Sequence, residues 1–153
     1  MSWTDLTGKV VIITGGAAGI GLSVAKGFVE VGARVVIADF AEDVGAKAVI
    51  EASEAGPGEA IFARCDVTSK QDVEAMVQTA VDQFGQVDVL VNNAGINVPR
   101  LLVDPAGKEE LTEEIWDKVF AVNVKGQFLC AQAAARVMLA SGKGGVLINK
   151  PNA

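Results

Sequence analysis

The stretch that decides the fold is Lys9-Val-Val-Ile-Ile-Thr-Gly-Gly-Ala-Ala-Gly-Ile-Gly21, where a short apolar run leads into a cluster of glycines. Four consecutive β-branched residues followed by Thr14 predict a buried strand. The glycines allow a sharp turn, close approach of a pyrophosphate to the backbone, and tight packing of the next helix. The stretch is either a plain glycine-rich connector or, given its place between strand and helix, a dinucleotide-binding turn. The second interpretation assigns cofactor binding to Gly15, Ala18, Gly19, Ile20 and Gly21.

Outward from this turn, short apolar runs alternate with longer helical patterns. The runs are apolar without alternation, which indicates a sheet covered on both faces. Strand–helix alternation with right-handed crossovers predicts an α/β fold, a Rossmann-type doubly wound parallel sheet of five strands in one domain, residues 1–153. Strands are predicted over residues 9–14, 33–39, 60–65, 87–91 and 146–149, and helices over 19–31, 42–54, 69–84 and 112–140.

Two of the helix starts carry capping signals. The third helix opens either with a capping box at Thr68 and Gln71 or, in the next register, with Ser69 and Asp72. Thr112 is expected to cap the long fourth helix. A loop over residues 96–110 precedes that helix and has no periodic pattern of its own.

Composition excludes several classes of function. A net charge of −6 argues against affinity for nucleic acid or for an acidic membrane surface. Histidine is absent and there are two cysteines, so neither a metal site nor a disulfide framework is expected. Two such thiols favour a reducing, cytoplasmic location. The first nine residues lack the pattern of a signal peptide, and no apolar run approaches membrane-spanning length.

Asp39, at the end of the second predicted strand, points to the identity of the nucleotide. An acidic side chain there can accept hydrogen bonds from both ribose hydroxyls of adenosine, with Phe40 beside it. A 2′-phosphate would face a like charge, at a cost of several kcal/mol at an effective dielectric constant of about 20. NAD is therefore favoured over NADP as the cofactor. The alternative is that Asp39 merely caps the next helix.

Polar residues also follow the third and fourth predicted strands. Asp66 is placed to accept a hydrogen bond from the adenine amino group, and Val67 to cover the ring. The next strand runs into Asn92-Asn-Ala-Gly95. Because the carboxyl ends of parallel strands meet at one edge of the sheet, where ligands bind in such folds, these residues are expected to share one site.

Taken in order, Thr14-Gly-x-x-x-Gly-Ile-Gly21, Asp39, Asp66-Val67, Asn92-Asn-Ala-Gly95 and Val122-Asn-Val124 resemble the short-chain dehydrogenase/reductase family over nearly the whole chain. The resemblance implies an NAD-dependent oxidoreductase that acts on a small-molecule secondary alcohol, and a homo-oligomer for the full-length form. It implies that Asn93, Ala94 and Gly95 line the far ribose of the cofactor. It also implies that Asn123 is the family's catalytic asparagine, which distorts its helix and holds a water of the proton relay.

A narrower likeness concerns the loop that begins at Asn93. The segment to Pro105 resembles dehydrogenases of sugar alcohol phosphates, of the sorbitol 6-phosphate type. Arg100 and Lys108 would then meet a substrate phosphate, Arg100 through a bidentate fork. The alternative interpretation is two solvated loop cations.

The end of the chain departs from the family pattern. In that family an Asn-x-Ser-Ser element and then a Tyr-x-x-x-Lys helix follow strand five. Matching Asn149 to the family's Asn places Pro151 and Asn152 where the serines stand, and the 153 residues contain no tyrosine. We therefore expect an inactive, truncated dehydrogenase that lacks the later strands and helices. The alternatives are a non-catalytic NAD-binding or sensing module and a non-functional decayed product.

Truncation would also leave apolar surface uncovered. Strand five is expected to be an unprotected edge. In the long helix, partial exposure is expected for Phe128, Leu129, Val137, Met138 and Leu139.

Overall fold

The computed structural model describes residues 5–151, so Asn152, assigned to the catalytic serine position, lies outside the described residues, as does the start of the segment judged not to be a signal peptide. Every predicted strand and helix is present. The strands are β1 (Val10–Thr14), β2 (Arg34–Asp39), β3 (Glu59–Arg64), β4 (Val89–Asn92) and β5 (Val146–Asn149). The helices are α1 (Gly19–Glu30), α2 (Glu42–Ser53), α3 (Lys70–Phe84), α4 (Glu113–Phe120) and α5 (Gly126–Ala140).

The five strands form one parallel sheet in the order β3-β2-β1-β4-β5. The chain proceeds outward from β1 to β3 and then returns to the other side of β1 to place β4. The strand order therefore reverses between β1 and β4, and the crevice at such a reversal is where ligands bind in open α/β sheets. The predicted Rossmann-type, doubly wound sheet is confirmed.

Helices cover both faces of the sheet. All five residues of β1 are buried. Val10 and Ile12 belong to the core packed under α3 and α5, whereas Val11 and Ile13 belong to the core packed under α1 and α2. Alternate side chains of one strand thus enter two separate cores, which explains why the strand has no polar face.

The helix ends follow from local chemistry. Ser69 caps α3, because its Oγ accepts a hydrogen bond from the Asp72 N–H at 3.2 Å, which decides between the two capping registers. Gly85 ends the same helix in the left-handed region with φ of 82°. Thr112 caps α4 as expected, and its Oγ1 accepts from the Ile115 N–H at 3.2 Å.

The long helix predicted over 112–140 is interrupted. Between α4 and α5 the residues Ala121–Lys125 form a π-helical turn, and helical dihedral angles continue through it. Such a turn inserts one residue and rotates the faces of the two flanking helices relative to each other. Asn123 lies inside it, so the distortion implied by the family resemblance is present.

The expectation about exposed apolar residues is partly wrong. Leu129 and Met138 are buried, because the inner face of α5 packs on α3 and β4 within the described residues alone. Phe128 and Leu139 are exposed as expected. β5 is an edge strand whose four residues are all exposed. No helix within residues 5–151 is long and apolar enough to cross a bilayer.

Both cysteines are buried, and this has a measurable consequence. Burial raises the pKa of Cys65 and of Cys130 to about 12. At pH 8 we expect about one thiol in 10⁴ to be ionised, so Ellman's reagent should react with neither in the native state and with both after unfolding. Because the folded state disfavours the thiolate, the two buried thiols contribute fully to stability below pH 9. This contribution is lost as the pH rises towards 12. Rapid labelling of the folded protein by Ellman's reagent would contradict the burial of the two thiols.

Candidate nucleotide-binding site

A pocket of about 380 Å³ lies at the carboxyl edge of the sheet, at the reversal between β1 and β4. It brings together nearly all the residues that the sequence assigned to cofactor binding. Gly19 does not line it, and neither does Asn123, although its neighbour Val122 does. The predicted residues that line the pocket are Gly15, Ala18, Ile20, Gly21, Asp39, Phe40, Asp66, Val67, Asn93, Ala94 and Gly95.

The glycine turn at the centre of the pocket is packed too closely for side chains. Gly15 has φ of 62°, and a Cβ built on it would lie 2.9 Å from the Ala94 Cα. A Cβ on Gly21 would overlap the Gly15 carbonyl oxygen and lie 2.7 Å from Asn93 Nδ2. Gly19 also has a positive φ, 53°, with no atom nearby. Gly15 and Gly21 are therefore required by contact, whereas Gly19 serves the turn by its conformation.

Thr14 joins the end of β1 to the end of β4. Its side chain is buried, and Oγ1 accepts hydrogen bonds from the Asn93 N–H at 3.1 Å and the Ala94 N–H at 3.0 Å. In return, Asn93 Nδ2 donates to the carbonyl oxygens of Thr14 and Gly15, both at 3.1 Å. The glycine turn and the Asn-Ala-Gly segment are consequently one hydrogen-bonded unit.

Asp39, the last residue of β2, also lines the pocket. Its Oδ2 accepts from the Ala17 N–H at 3.3 Å, and Oδ1 accepts from the Ala41 N–H at 3.4 Å. Helix α2 begins after Ala41 without a side-chain cap, so Asp39 is not the N-cap of that helix. Its carboxylate instead joins the glycine turn to the start of α2 and lines the pocket.

Asn123 contacts the loop that follows β4. Its Oδ1 accepts from the Ile96 N–H and its Nδ2 donates to the Ile96 carbonyl oxygen, each at 2.8 Å. The side-chain amide of Asn123 is thus paired with both backbone groups of Ile96. The amide of Asn123 thereby fixes the backbone just beyond Gly95, where Ile96 lines the pocket.

Known proteins with a similar sequence or fold show the family of this chain. The sequence model described as short chain dehydrogenase matches residues 9–150. The chain belongs to the short-chain dehydrogenase family. A crystal structure of a short chain dehydrogenase from Mycobacterium smegmatis superimposes with a TM-score of 0.86 at 35% identity, covering 94% of this chain and 58% of that one.

Two curated relatives of the chain carry names that state an activity. Momilactone A synthase from Oryza sativa subsp. japonica is 44% identical over 142 residues, which cover 93% of this chain and 49% of that protein. A sorbitol dehydrogenase from Cereibacter sphaeroides is 42% identical over 144 residues, with 94% and 52% covered. The chain thus spans about half the length of these relatives.

Sequence reasoning missed four residues that line the pocket: Cys65, Ile96, Val122 and Lys150. A signal existed for two of them, because Cys65 follows β3 and Lys150 follows β5 at the carboxyl edge. Arg100 and Lys108, considered for a substrate phosphate, are not in the lining. Arg100 instead forms an ion pair with Glu109 at 3.4 Å.

Replacing Thr14 with Val should destabilise the folded chain strongly. Valine keeps the shape of threonine but removes the oxygen that accepts from Asn93 and Ala94, and loss of a buried acceptor costs about 1–3 kcal/mol for each donor affected. Chemical denaturation should show a lower midpoint with an unchanged slope. Thr14→Ser, which keeps the oxygen, should lose about 1 kcal/mol or less, and equal losses in both variants would refute this role of the hydroxyl.

Proposed function

We propose that this chain is the nucleotide-binding part of an NAD-dependent oxidoreductase that transfers a hydride between a secondary alcohol and NAD. The observation that carries the proposal is the backbone cradle in which Cβ atoms on Gly15 and Gly21 would clash. A cradle that admits no side chain fits a pyrophosphate lying against the start of α1, whose N–H groups and dipole favour an anion.

The preference for NAD over NADP rests on Asp39. Its carboxylate is held at the pocket by two backbone N–H groups, and its oxygens are suited to accept bonds from ribose hydroxyls. A 2′-phosphate in its place would meet a like charge. Ala17 and Ala18 occupy the turn where a cation would be needed to offset that charge.

In the proposed reaction, bound NAD supplies the hydride acceptor. The residues of this chain bind and orient it: the glycine turn holds the pyrophosphate, and Asn93, Ala94 and Gly95 line the second ribose. Asn123, as the family's catalytic asparagine, would hold a water of the proton relay, while its side-chain amide positions Ile96. Tyrosine, the family's general base, does not occur in the 153 residues.

The substrate, the cellular location and the oligomeric state are also proposed from the family. We propose a sugar alcohol or its phosphate as the secondary alcohol, and the name of the sorbitol dehydrogenase relative supports the sugar alcohol. We propose further that the complete protein is a cytoplasmic homo-oligomer that binds neither nucleic acid nor membranes, in keeping with the net charge of −6.

Calorimetric titration of the purified 153-residue chain tests the proposal. NAD should bind, and NADP should bind at least 100-fold more weakly. In the same preparation, NAD with a panel of polyols and polyol phosphates should give no increase in NADH absorbance, because a missing general base typically costs ~10²–10⁴ in rate. Absence of NAD binding would overturn the proposed function, and clear turnover would overturn the assignment of the base to residues outside this chain.

A second candidate is a non-catalytic NAD-binding or sensing module. Its supporting observation is the formed nucleotide pocket. Both candidates predict NAD binding and no turnover for these 153 residues. They differ for the native protein: reading the coding DNA beyond Asn149 in all three frames should reveal Ser-Ser and Tyr-x-x-x-Lys if the protein is a dehydrogenase, and none if it is a module.

A further inference from the structure

Several hydrogen bonds hold the exposed turn that follows β3. Asp66 and Val67 line the nucleotide pocket from this turn. The Asp66 carboxylate is partly used within the turn, because Oδ1 accepts from the Thr68 N–H at 2.9 Å and from Thr68 Oγ1 at 2.7 Å. Both bonds use the same oxygen, so Oδ2 is the one offered to a ligand.

Asp72, in the first turn of α3, connects this turn to its surroundings. One oxygen, Oδ2, accepts from the Asp66 backbone N–H at 3.0 Å and from Arg64 Nη1 at 2.9 Å. The Asp72 N–H in turn donates to the Ser69 cap. The hydrogen bond from the Asp66 N–H is the main cause that lowers the pKa of Asp72, so the carboxylate is ionised at neutral pH. A single carboxylate therefore ties together the end of β3, the turn and the start of α3.

Val67, the next residue of the turn, is fixed by packing against α5. A Cβ on Gly126, at the start of α5, would lie 2.9 Å from Val67 Cγ2. Val67 is thus packed directly against the backbone of α5 while it lines the pocket. With Val67 held by packing, the backbone at Asp66 is held from the other side by Asp72.

We propose that Asp72 is a positioning residue for base recognition: by holding the backbone N–H of Asp66, it aims the Asp66 carboxylate at the exocyclic amino group of adenine. This inference rests on the proposed binding of NAD. The proposal predicts a preference for one base, because a carboxylate that faces the 6-position of a purine attracts an amino group and repels a carbonyl oxygen. A hypoxanthine base, which carries a carbonyl there, should therefore be rejected.

The experiment compares NAD with nicotinamide hypoxanthine dinucleotide by calorimetric titration of the whole chain. A hydrogen bond to a charged group predicts that the unchanged protein prefers NAD by about 10- to 100-fold. In Asp72→Ala this preference should fall to about threefold or less, whereas Asp72→Asn keeps an acceptor oxygen for the Asp66 N–H and should retain more of the preference. Both bases should still bind, because the glycine turn and Asp39 are intact.

The matched control is Ser69→Ala. It removes the cap of the same helix and so lowers the stability of the protein. It leaves in place the hydrogen bonds that the Asp66 N–H and Arg64 Nη1 donate to the Asp72 carboxylate. Ser69→Ala should keep the full preference for adenine. If Asp72→Ala also keeps it, or if Ser69→Ala loses it equally, Asp72 has a structural role alone and the proposal is overturned.

Failure of this proposal is distinguishable from failure of the proposed function. If the unchanged protein binds both dinucleotides with equal affinity, Asp66 does not recognise the base and the role of Asp72 is refuted, while dinucleotide binding stands. If it binds neither, both proposals are refuted.

Discussion

Replacing Gly21 with Ala should abolish NAD binding by this chain. The added methyl group would overlap the Gly15 carbonyl oxygen and crowd Asn93 Nδ2, so the turn must open to accommodate it. Overpacking of this kind costs about 1–3 kcal/mol of stability. The opened turn would also withdraw the backbone from the pyrophosphate. Calorimetric titration with NAD should show at least a 100-fold loss of affinity, together with a lower unfolding midpoint.

Gly27→Ala supplies the matched control in the same helix. Gly27 is exposed, its φ is not positive, and a Cβ there would meet no atom within 4 Å. The same substitution should therefore raise stability by about 0.5–1 kcal/mol and leave NAD affinity unchanged, because alanine favours a helix interior over glycine. If the two variants lost affinity alike, contact with the Gly15 backbone would not be the cause.

Replacing Asp39 with Asn should shift the protein from NAD towards NADP. At an effective dielectric constant of about 20, a like charge about 4 Å away costs about 4 kcal/mol, or about three orders of magnitude in affinity. Asparagine keeps the size and one acceptor oxygen but removes the charge. Titrations should show the ratio of NADP to NAD affinity rising by about 100- to 1,000-fold. The larger part of the change should come from tighter NADP binding.

Asp43→Asn is the corresponding control for charge. Asp43 lies in the first turn of α2, is exposed, and does not line the pocket. Its removal changes the net charge of the protein by the same amount, so the ratio of NADP to NAD affinity should stay within about twofold of the original. An equal shift in both variants would show that the effect of Asp39 is a long-range one and not a contact in the site.

The sequence predicted the fold closely because local and global signals agree. The unbroken apolar run of β1 predicted a strand buried on both faces, and Ser69, Thr112 and Gly85 mark helix ends by their own chemistry. The burial of Leu129 and Met138 was not predicted. It depends on where α5 lies relative to α3 and β4, which is a tertiary arrangement that helix periodicity does not encode.

The site was predictable to the extent that its residues follow the carboxyl ends of strands. Asp39, Asp66 and Asn93 could each be assigned in that way, and all line the pocket. The hydrogen bonds that hold the site together were not predictable from the sequence. The pairing of Asn123 with Ile96, and of Thr14 with Asn93, joins residues far apart in sequence and is visible once the strands are in register.

The placement of β4 beside β1 has a consequence for the order of folding. Strands β1, β2 and β3 can pair as soon as they are synthesised, because each is close in sequence to the next. The bond from Asn93 to Thr14 instead closes a separation of 79 residues, and such non-local pairings form slowly. We expect the nucleotide pocket to assemble late, when β4 has reached its place. NAD would then act on a nascent chain as a ligand that stabilises the sheet once β4 has paired with β1.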